Sequence, residues 1–173
     1  MDLRYPIGKF EPVSSLTPEQ RSRCHTTIAE TPARLRAAVQ GLSDEQLDTP
    51  YRPDGWTVRQ VVHHVPDSHL NAYIRMKLGV TEDRPVIKTY DQDLWSNLSD
   101  GKSGSIDVSL DLLEALHERW DRFIGSLAAD DYARKLTHPE WHEITIDFCL
   151  AQYAWHGAHH VAHVTSLRER KGW

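Results

Sequence analysis

Apolar residues recur at helical spacing in four long stretches of the chain, and each stretch predicts a helix with one buried face. The last stretch is the clearest, because its apolar side chains share one arc when successive residues are turned by about 100°. They are Ile146, Cys149, Leu150, Tyr153, Val161, Val164 and Leu167. The third stretch opens near Asp107 or Ser109 and closes before residue 129. Its apolar positions are Leu110, Leu113, Leu116, Trp120, Phe123, Ile124 and Leu127.

Capping signals mark the starts of the first two helices. Residues 17–20 read Thr-Pro-Glu-Gln, which combines a cap, a proline at the first helical position and a capping-box glutamine before a pattern that runs to about Gly41. Pro32 lies inside this pattern, where it should kink or split the helix. Thr57 and Gln60 form a second capping box. The buried face of the second helix is then Val58, Val61, Val62, Val65, His69, Ala72 and Met76.

These patterns predict an all-α protein, because no strand-like alternation of comparable length is present. We expect a single four-helix-bundle domain over residues 1–173, since a chain of this size can bury one such core. About 25 residues without strong periodicity form a long loop between helices 2 and 3. We interpret residues 90–95 as a lid and the Gly/Ser-rich residues 99–105 as its flexible hinge. The apolar N-terminal arm, residues 1–15, should pack on the bundle or on a second subunit.

Composition limits the classes of partner. The formal net charge is −5 and the lysines and arginines are dispersed, so we expect no nucleic acid partner. No apolar run approaches about 18 residues and no signal peptide is evident, so we expect a cytoplasmic protein without a membrane partner. Cys24 and Cys149 lie on helical patterns far apart in sequence, which favours reduced thiols.

Candidate chemistry is concentrated in the last helix, where four of the eleven histidines lie between residues 156 and 163. Histidines four residues apart share a helix face, so either His156 with His160 or His159 with His163 could bind one metal ion. On the helical projection, His160 lies inside the apolar arc and His156 at its border, whereas His159 lies towards the polar side. The interior pair is therefore His156 and His160, and a third ligand should come from another helix.

The second helix offers that ligand. His64 lies beside its buried face, whereas His63 points nearly opposite to that face. A polar stripe follows His64 for about three turns and predicts a pocket wall, although an ordinary solvated boundary has the same pattern. The candidate substrate-pocket residues are Ser68, Asn71, Arg75 and Gln152.

Long sequence blocks in fixed order resemble the YfiT group of the DinB superfamily, and the resemblance spans essentially the whole chain. The blocks are residues 5–8, residues 55–64 with 67–69, and residues 153–163 followed by Gly172-Trp173. The resemblance implies a four-helix bundle, usually a homodimer, that holds one divalent metal through three histidines. These ligands match His64, His156 and His160. Pro66 departs from the family pattern and should kink the helix near His64. This kink either re-aims the His64 ligand or is absorbed by a local bulge.

Three neutral imidazoles would leave a divalent ion with open positions, which favours a metal-dependent hydrolase that activates water. The general base is open, and Asp67, His63 and His163 are the candidates, although a solvated side chain is the alternative for each histidine. The same site would suit a thiol S-transferase acting with a low-molecular-weight thiol, as in some relatives. Arg75 could bind the carboxylate of that thiol. A non-catalytic metal-binding protein is the third interpretation. Zinc is expected on family grounds, with nickel as the alternative.

A di-iron site is disfavoured. Glu114 and His117 resemble half of such a site, but a second Glu-x-x-His motif is missing from the other helices.

Overall fold

A computed structural model describes residues 2–173, which form a four-helix bundle. The long helices are α1 (Pro18–Val39), α3 (Val58–Thr81), α6 (Ile106–Gly125) and α7 (Ile146–Lys171). The short elements are α2 (Asp44–Leu47), α4 (Gln92–Ser96), α5 (Ser99–Ser103), a 3-10 turn (Ala129–Ala133), β1 (Lys135–His138) and β2 (His142–Thr145). The long helices contact one another in the cyclic order α1, α7, α3, α6. Among the described residues, no helix is both long and apolar enough to cross a membrane.

The predicted capping boxes form at both helix starts. The Thr17 hydroxyl accepts from the Gln20 amide at 3.3 Å, and the Gln20 side chain accepts from the Thr17 amide at 2.7 Å. Thr57 and Gln60 form the same pair of bonds at the start of α3, at 3.1 and 3.0 Å. These bonds satisfy amide groups that have no partner within the first helical turn, so the two boxes determine where α1 and α3 begin.

Both internal prolines lie within continuous helices. Pro32 lies inside α1 and Pro66 inside α3, so α1 is not split at Pro32, where a kink or a split was expected. Each proline lacks an amide hydrogen and therefore cannot donate to the carbonyl four residues earlier. The carbonyls of Ile28 and Val62 are consequently released from the usual helical hydrogen bond.

Two buried clusters make up the core. One surrounds Trp120 and Leu150, and the other surrounds Val61 and Leu113. The N-terminal arm packs on the bundle, which was one of its two expected positions, because Phe10 contacts the rings of Phe148 and Trp155. Both cysteines are free, and burial raises the pKa of Cys149 to about 12, which keeps that thiol protonated.

The small hairpin of β1 and β2 is an element that the hydrophobic pattern missed. Leu136 pairs with Ile144 across it, and both side chains are buried against the bundle. Each strand has only four residues, which is too short for a period of two to stand out.

The loop between the second and third long helices is more ordered than we expected. Residues 99–103 form α5 rather than a flexible hinge, and this helix packs on α3. Gly101 is buried, and a Cβ there would lie 3.1 Å from the Ser96 carbonyl oxygen. Close backbone packing of α5 against the end of α4 therefore favours glycine at this position.

Candidate metal centre

Three histidines from two packed helices converge in the bundle. His64 lies on α3, and His156 and His160 lie one turn apart on α7. One nitrogen from each ring lies within 4.8 Å of the other two. The Nε2 atoms of His64 and His156 are 3.2 Å apart. The structure thus brings together the three histidines that the helical projections selected.

This geometry fits a metal ion. Two imidazole nitrogens that bind one tetrahedral zinc at about 2.1 Å are about 3.4 Å apart, close to the observed separation. Burial lowers the pKa of His156 to about 3 and those of His64 and His160 well below the usual value. The three rings are therefore neutral at physiological pH, which is the protonation state that a metal ligand needs.

Two cavities flank His156. The first, which we call the Arg75 cavity, has a volume of about 420 Å³. Its lining includes Ser68, Arg75, Tyr90, Glu140, Gln152 and Tyr153. The second, which we call the Arg52 cavity, has a volume of about 350 Å³. Its lining includes Arg4, Tyr5, Arg52, Trp56, His160 and His163. Gln92 of α4, which belongs to the predicted lid, lines both cavities.

Three of the four predicted pocket residues line the Arg75 cavity. Ser68 lies closest to the triad, with its hydroxyl 3.4 Å from His156 Nε2. Arg75 donates to the Lys88 carbonyl at 2.6 Å and to the Tyr153 hydroxyl at 3.5 Å. Gln152 completes the set, whereas Asn71 does not line the cavity and donates to the Asp67 carbonyl at 2.8 Å.

The three candidate bases occupy different places. The Nε2–H of His63 donates to the Gly104 carbonyl at 3.1 Å, and its Nδ1 accepts from Ser109, so this ring joins α3 to the start of α6. It is buried and not solvated. Burial and the nearby Asp100 carboxylate raise the pKa of Asp67 to about 6. Among residues 2–173, no hydrogen bond joins the Asp67 carboxylate to the triad.

His163 is the candidate base that contacts the triad. It is buried, its Nδ1 lies 3.4 Å from His160 Nδ1, and its Nε2 lies 3.1 Å from the Arg4 carbonyl oxygen. The aromatic ring of Tyr51 stacks on it at 3.9 Å. His159 is also buried, because the N-terminal arm places Tyr5 against it, although the projection turned it towards the polar side.

Two further buried histidines belong to the site and were not predicted as site residues. His69 Nε2 lies 3.0 Å from His156 Nδ1, and His69 Nδ1 lies 2.8 Å from His117 Nε2. The signals were present in the sequence, since His69 falls on the buried face of α3 and His117 belongs to the Glu-x-x-His motif of α6. Trp56 was also missed, and its ring lies 4.6 Å from that of His64.

Comparison with known proteins identifies the family. The family model of the DinB superfamily matches residues 27–164. The chain is 47% identical to the Bacillus subtilis (strain 168) protein named "Putative metal-dependent hydrolase YfiT", over 100% of this chain and 98% of that protein. A relative from Bacillus mycoides (strain KBAB4), also named as a putative metal-dependent hydrolase, is 49% identical over 99% of both chains.

A solved structure has the same fold over the full length. It is the YfiT protein of Bacillus subtilis, described as "a probable metal-dependent hydrolase with an unusual four-helix bundle topology". The superposition has a TM-score of 0.96 at 46% sequence identity, and it covers 100% of this chain and 99% of the other. The sequence and the fold agree that this chain belongs to the DinB superfamily.

Proposed function

We propose that this protein is a metal-dependent hydrolase that holds one divalent ion through His64, His156 and His160. The observation that carries the proposal is the cluster of three neutral imidazole nitrogens beside two cavities. When bound to such a set, a divalent ion supplies Lewis acidity, which lowers the pKa of a water molecule and polarises an oxygen of the substrate. Zinc is the ion we propose, because three histidines with open positions are typical of catalytic zinc sites. Nickel is the alternative.

The Arg75 cavity is the proposed substrate pocket. Arg75 forms no ion pair with a carboxylate among residues 2–173, so its guanidinium is available to bind a carboxylate or phosphate group of a small substrate. Ser68 would hold the reacting group near His156 through its hydroxyl. Trp56 lies on the side of the Arg52 cavity, which it lines, and its ring is 4.6 Å from that of His64.

A carboxylate in this cavity is the proposed proton acceptor. Asp91 and Glu140 both line it, but Asp91 caps α4 by accepting from the Leu94 amide at 2.9 Å. Glu140 has no comparable side-chain bond within residues 2–173, so we propose that it receives the proton from the attacking water. Asp67, His63 and His163 keep supporting roles in this mechanism, because their side chains do not line the Arg75 cavity.

Metal analysis tests the metal site. Protein purified without a histidine tag and reloaded with zinc should contain about one equivalent of metal, and His160→Ala should contain little. His159→Ala is the matched control, because His159 lies on the same helix but outside the triad, and it should keep the metal. Full occupancy in His160→Ala would exclude this ligand set.

Activity measurements test hydrolysis. A panel of anionic esters and amides should be hydrolysed by the zinc-loaded parent and not by the chelated protein or His160→Ala. Glu140→Gln should lower kcat while metal content stays at the parental level. If Glu140→Gln is as active as the parent, the proton acceptor is a different group.

Thiol transfer is the second candidate function, and the presence of two cavities at His156 favours it. One cavity could hold a low-molecular-weight thiol and the other an electrophile, with Arg75 or Arg52 binding the thiol's carboxylate. Monochlorobimane with a panel of thiols tests this activity. Adducts that form only with thiol and metal would favour transfer, whereas ester turnover without thiol would favour hydrolysis. A metal-loaded protein inactive in both assays would favour the non-catalytic interpretation.

We also propose that the protein is a homodimer. Adjacent helices α3 and α6 expose the apolar side chains of Leu70, Ile74, Val108 and Leu112, which a second copy could cover. Sedimentation equilibrium of the parent and of Ile74→Glu tests this, since a dimer through this face should dissociate in the variant.

A further inference from the structure

A line of buried histidines crosses the bundle from α1 to the proposed ligand His156. His117 Nδ1 lies 2.7 Å from the Ile28 carbonyl oxygen, and His117 Nε2 lies 2.8 Å from His69 Nδ1. His69 Nε2 then lies 3.0 Å from His156 Nδ1. His69 is 0% exposed and His117 is 2% exposed, so water does not compete for these bonds. The line therefore joins a backbone carbonyl of α1 to a side chain of α7 through rings on α6 and α3.

The line begins at a carbonyl that a proline has released. Pro32 has no amide hydrogen, so it cannot donate to the carbonyl of Ile28. A buried carbonyl without a partner is costly, and the Nδ1–H of His117 supplies the missing donor. His117 of α6 thus donates to the Ile28 carbonyl the hydrogen bond that Pro32 of α1 cannot donate.

The carbonyl fixes the direction of every bond in the line. A carbonyl oxygen only accepts, so His117 must carry its proton on Nδ1, which leaves Nε2 as an acceptor when the ring is neutral. His69 must then donate from Nδ1 and accept at Nε2. His156 must in turn donate from Nδ1, which leaves its Nε2 without a proton. That atom faces His64 Nε2 in the triad.

Burial supports the neutral state of the rings. It lowers the pKa of His117 to about 4, and the ring of His69 is fully buried beside it. A neutral imidazole has one donor and one acceptor, so the chain of donors and acceptors has no break.

We propose that the Ile28 carbonyl, His117 and His69 act as positioning groups that set the tautomer of His156 and so present its bare Nε2 to the metal. The role of the metal rests on the proposed function, whereas the tautomers are a property of the metal-free chain.

A second, shorter line of hydrogen bonds sets the tautomer of His160 in the same way. The Arg4 carbonyl accepts from His163 Nε2–H at 3.1 Å, and His163 Nδ1 accepts from His160 Nδ1–H at 3.4 Å, which leaves His160 Nε2 bare.

Long-range 15N–1H correlation spectra of metal-free, 15N-histidine-labelled protein test the tautomers directly. We expect His117, His69 and His156 to carry their protons on Nδ1, and His163 to carry its proton on Nε2. A proton on Nε2 of His156 or His69 would overturn the proposal. If the tautomers are as stated and the parent binds no metal, the inference stands and the proposed function fails.

Substitution of His69 tests its action on the ligand. His69→Leu removes the acceptor for His156, so His156 should become a mixture of tautomers and zinc affinity by chelator competition should fall about 10- to 100-fold. His69→Gln retains an acceptor oxygen and should restore affinity to within a few-fold of the parent. Ile124→Ala, a core truncation outside the line, controls for loss of stability and should leave the His156 tautomer unchanged. Parental affinity and tautomer in His69→Leu would overturn the proposal.

Discussion

Gly157 lies against Thr31 at the closest approach of α7 and α1. A Cβ at position 157 would lie 2.6 Å from the Thr31 hydroxyl oxygen and 3.3 Å from Cε1 of His69. Helix α7, which carries two of the three triad histidines, can therefore approach α1 this closely only because position 157 has no side chain.

The first prediction follows from this contact. Gly157→Ala should lower the free energy of unfolding by about 1–3 kcal/mol, because the new methyl group forces the helices apart in a packed core. Gly125→Ala is the control, since its nearest neighbour would be His25 Cε1 at 3.8 Å, an ordinary contact. Urea denaturation of both variants measures the difference, and equal stability of the two would contradict the packing argument.

The second prediction concerns the partly buried ion pair between α1 and the start of α7. Asp147 is 1% exposed and accepts from Arg21 through two bonds of 2.8 Å. Arg21→Met leaves the carboxylate buried without its cation and should cost about 3–5 kcal/mol. Arg34→Met removes the exposed pair with Glu30 and should cost less than about 1 kcal/mol. Denaturation midpoints of the two variants test this, and equal losses of stability in Arg21→Met and Arg34→Met would refute it.

The third prediction is a pH dependence of stability that arises from Asp67. Its pKa is raised from 3.8 to about 6 in the folded protein, so folding favours the protonated form. The native chain binds more protons than the unfolded chain between these values, and stability is lost as pH rises through about 6. In metal-free protein, Asp67→Asn should match the parent near pH 4 and exceed it by about 1–3 kcal/mol at pH 8. A variant equally or less stable at pH 8 would show that burial of the Asp67 carboxylate does not cause the loss.

The fourth prediction concerns the N-terminal arm. Removal of residues 1–12 takes away the Arg4 carbonyl that holds His163 and uncovers His159 and Trp155, which donates to the Gly8 carbonyl at 3.2 Å. We expect a lower Tm and zinc affinity reduced by about 10-fold or more, because His163, the hydrogen-bond partner of the ligand His160, loses the carbonyl that fixes its tautomer. Phe10→Ala controls for packing, since it weakens the arm without removing Arg4, and it should lower Tm with a smaller effect on affinity.

Much of the site could be predicted from the sequence, because the direction in which each triad histidine points depends on the periodicity of its own helix. A helical projection is sufficient to turn His64, His156 and His160 inwards, and the capping boxes fix the helix starts within a residue. The line through His69 and His117 could not be predicted in this way. It depends on how α3 and α6 are rotated against each other and on a carbonyl released by Pro32, and neither property is encoded in the period of one helix.

The parts of the fold that escaped prediction are short. The strands of the hairpin and the helices α4 and α5 have four or five residues each, so they form because of tertiary contacts and not because of their own pattern. Residues 99–105 are rich in glycine and serine, yet the Gly104 carbonyl accepts from both Arg59 and His63. These two bonds to α3 order a segment whose composition is typical of a flexible linker.

The hydrogen bond between His117 and the Ile28 carbonyl has a consequence for how the molecule opens. Helix α1 supplies no residue of the triad, yet its backbone is joined through two rings to His156, so fraying of α1 and loss of the triad geometry become one cooperative event. An ion bound at the triad would then slow amide hydrogen exchange in the middle of α1 as well as in α3 and α7, since binding to the native state raises the free energy of each opening that destroys the site.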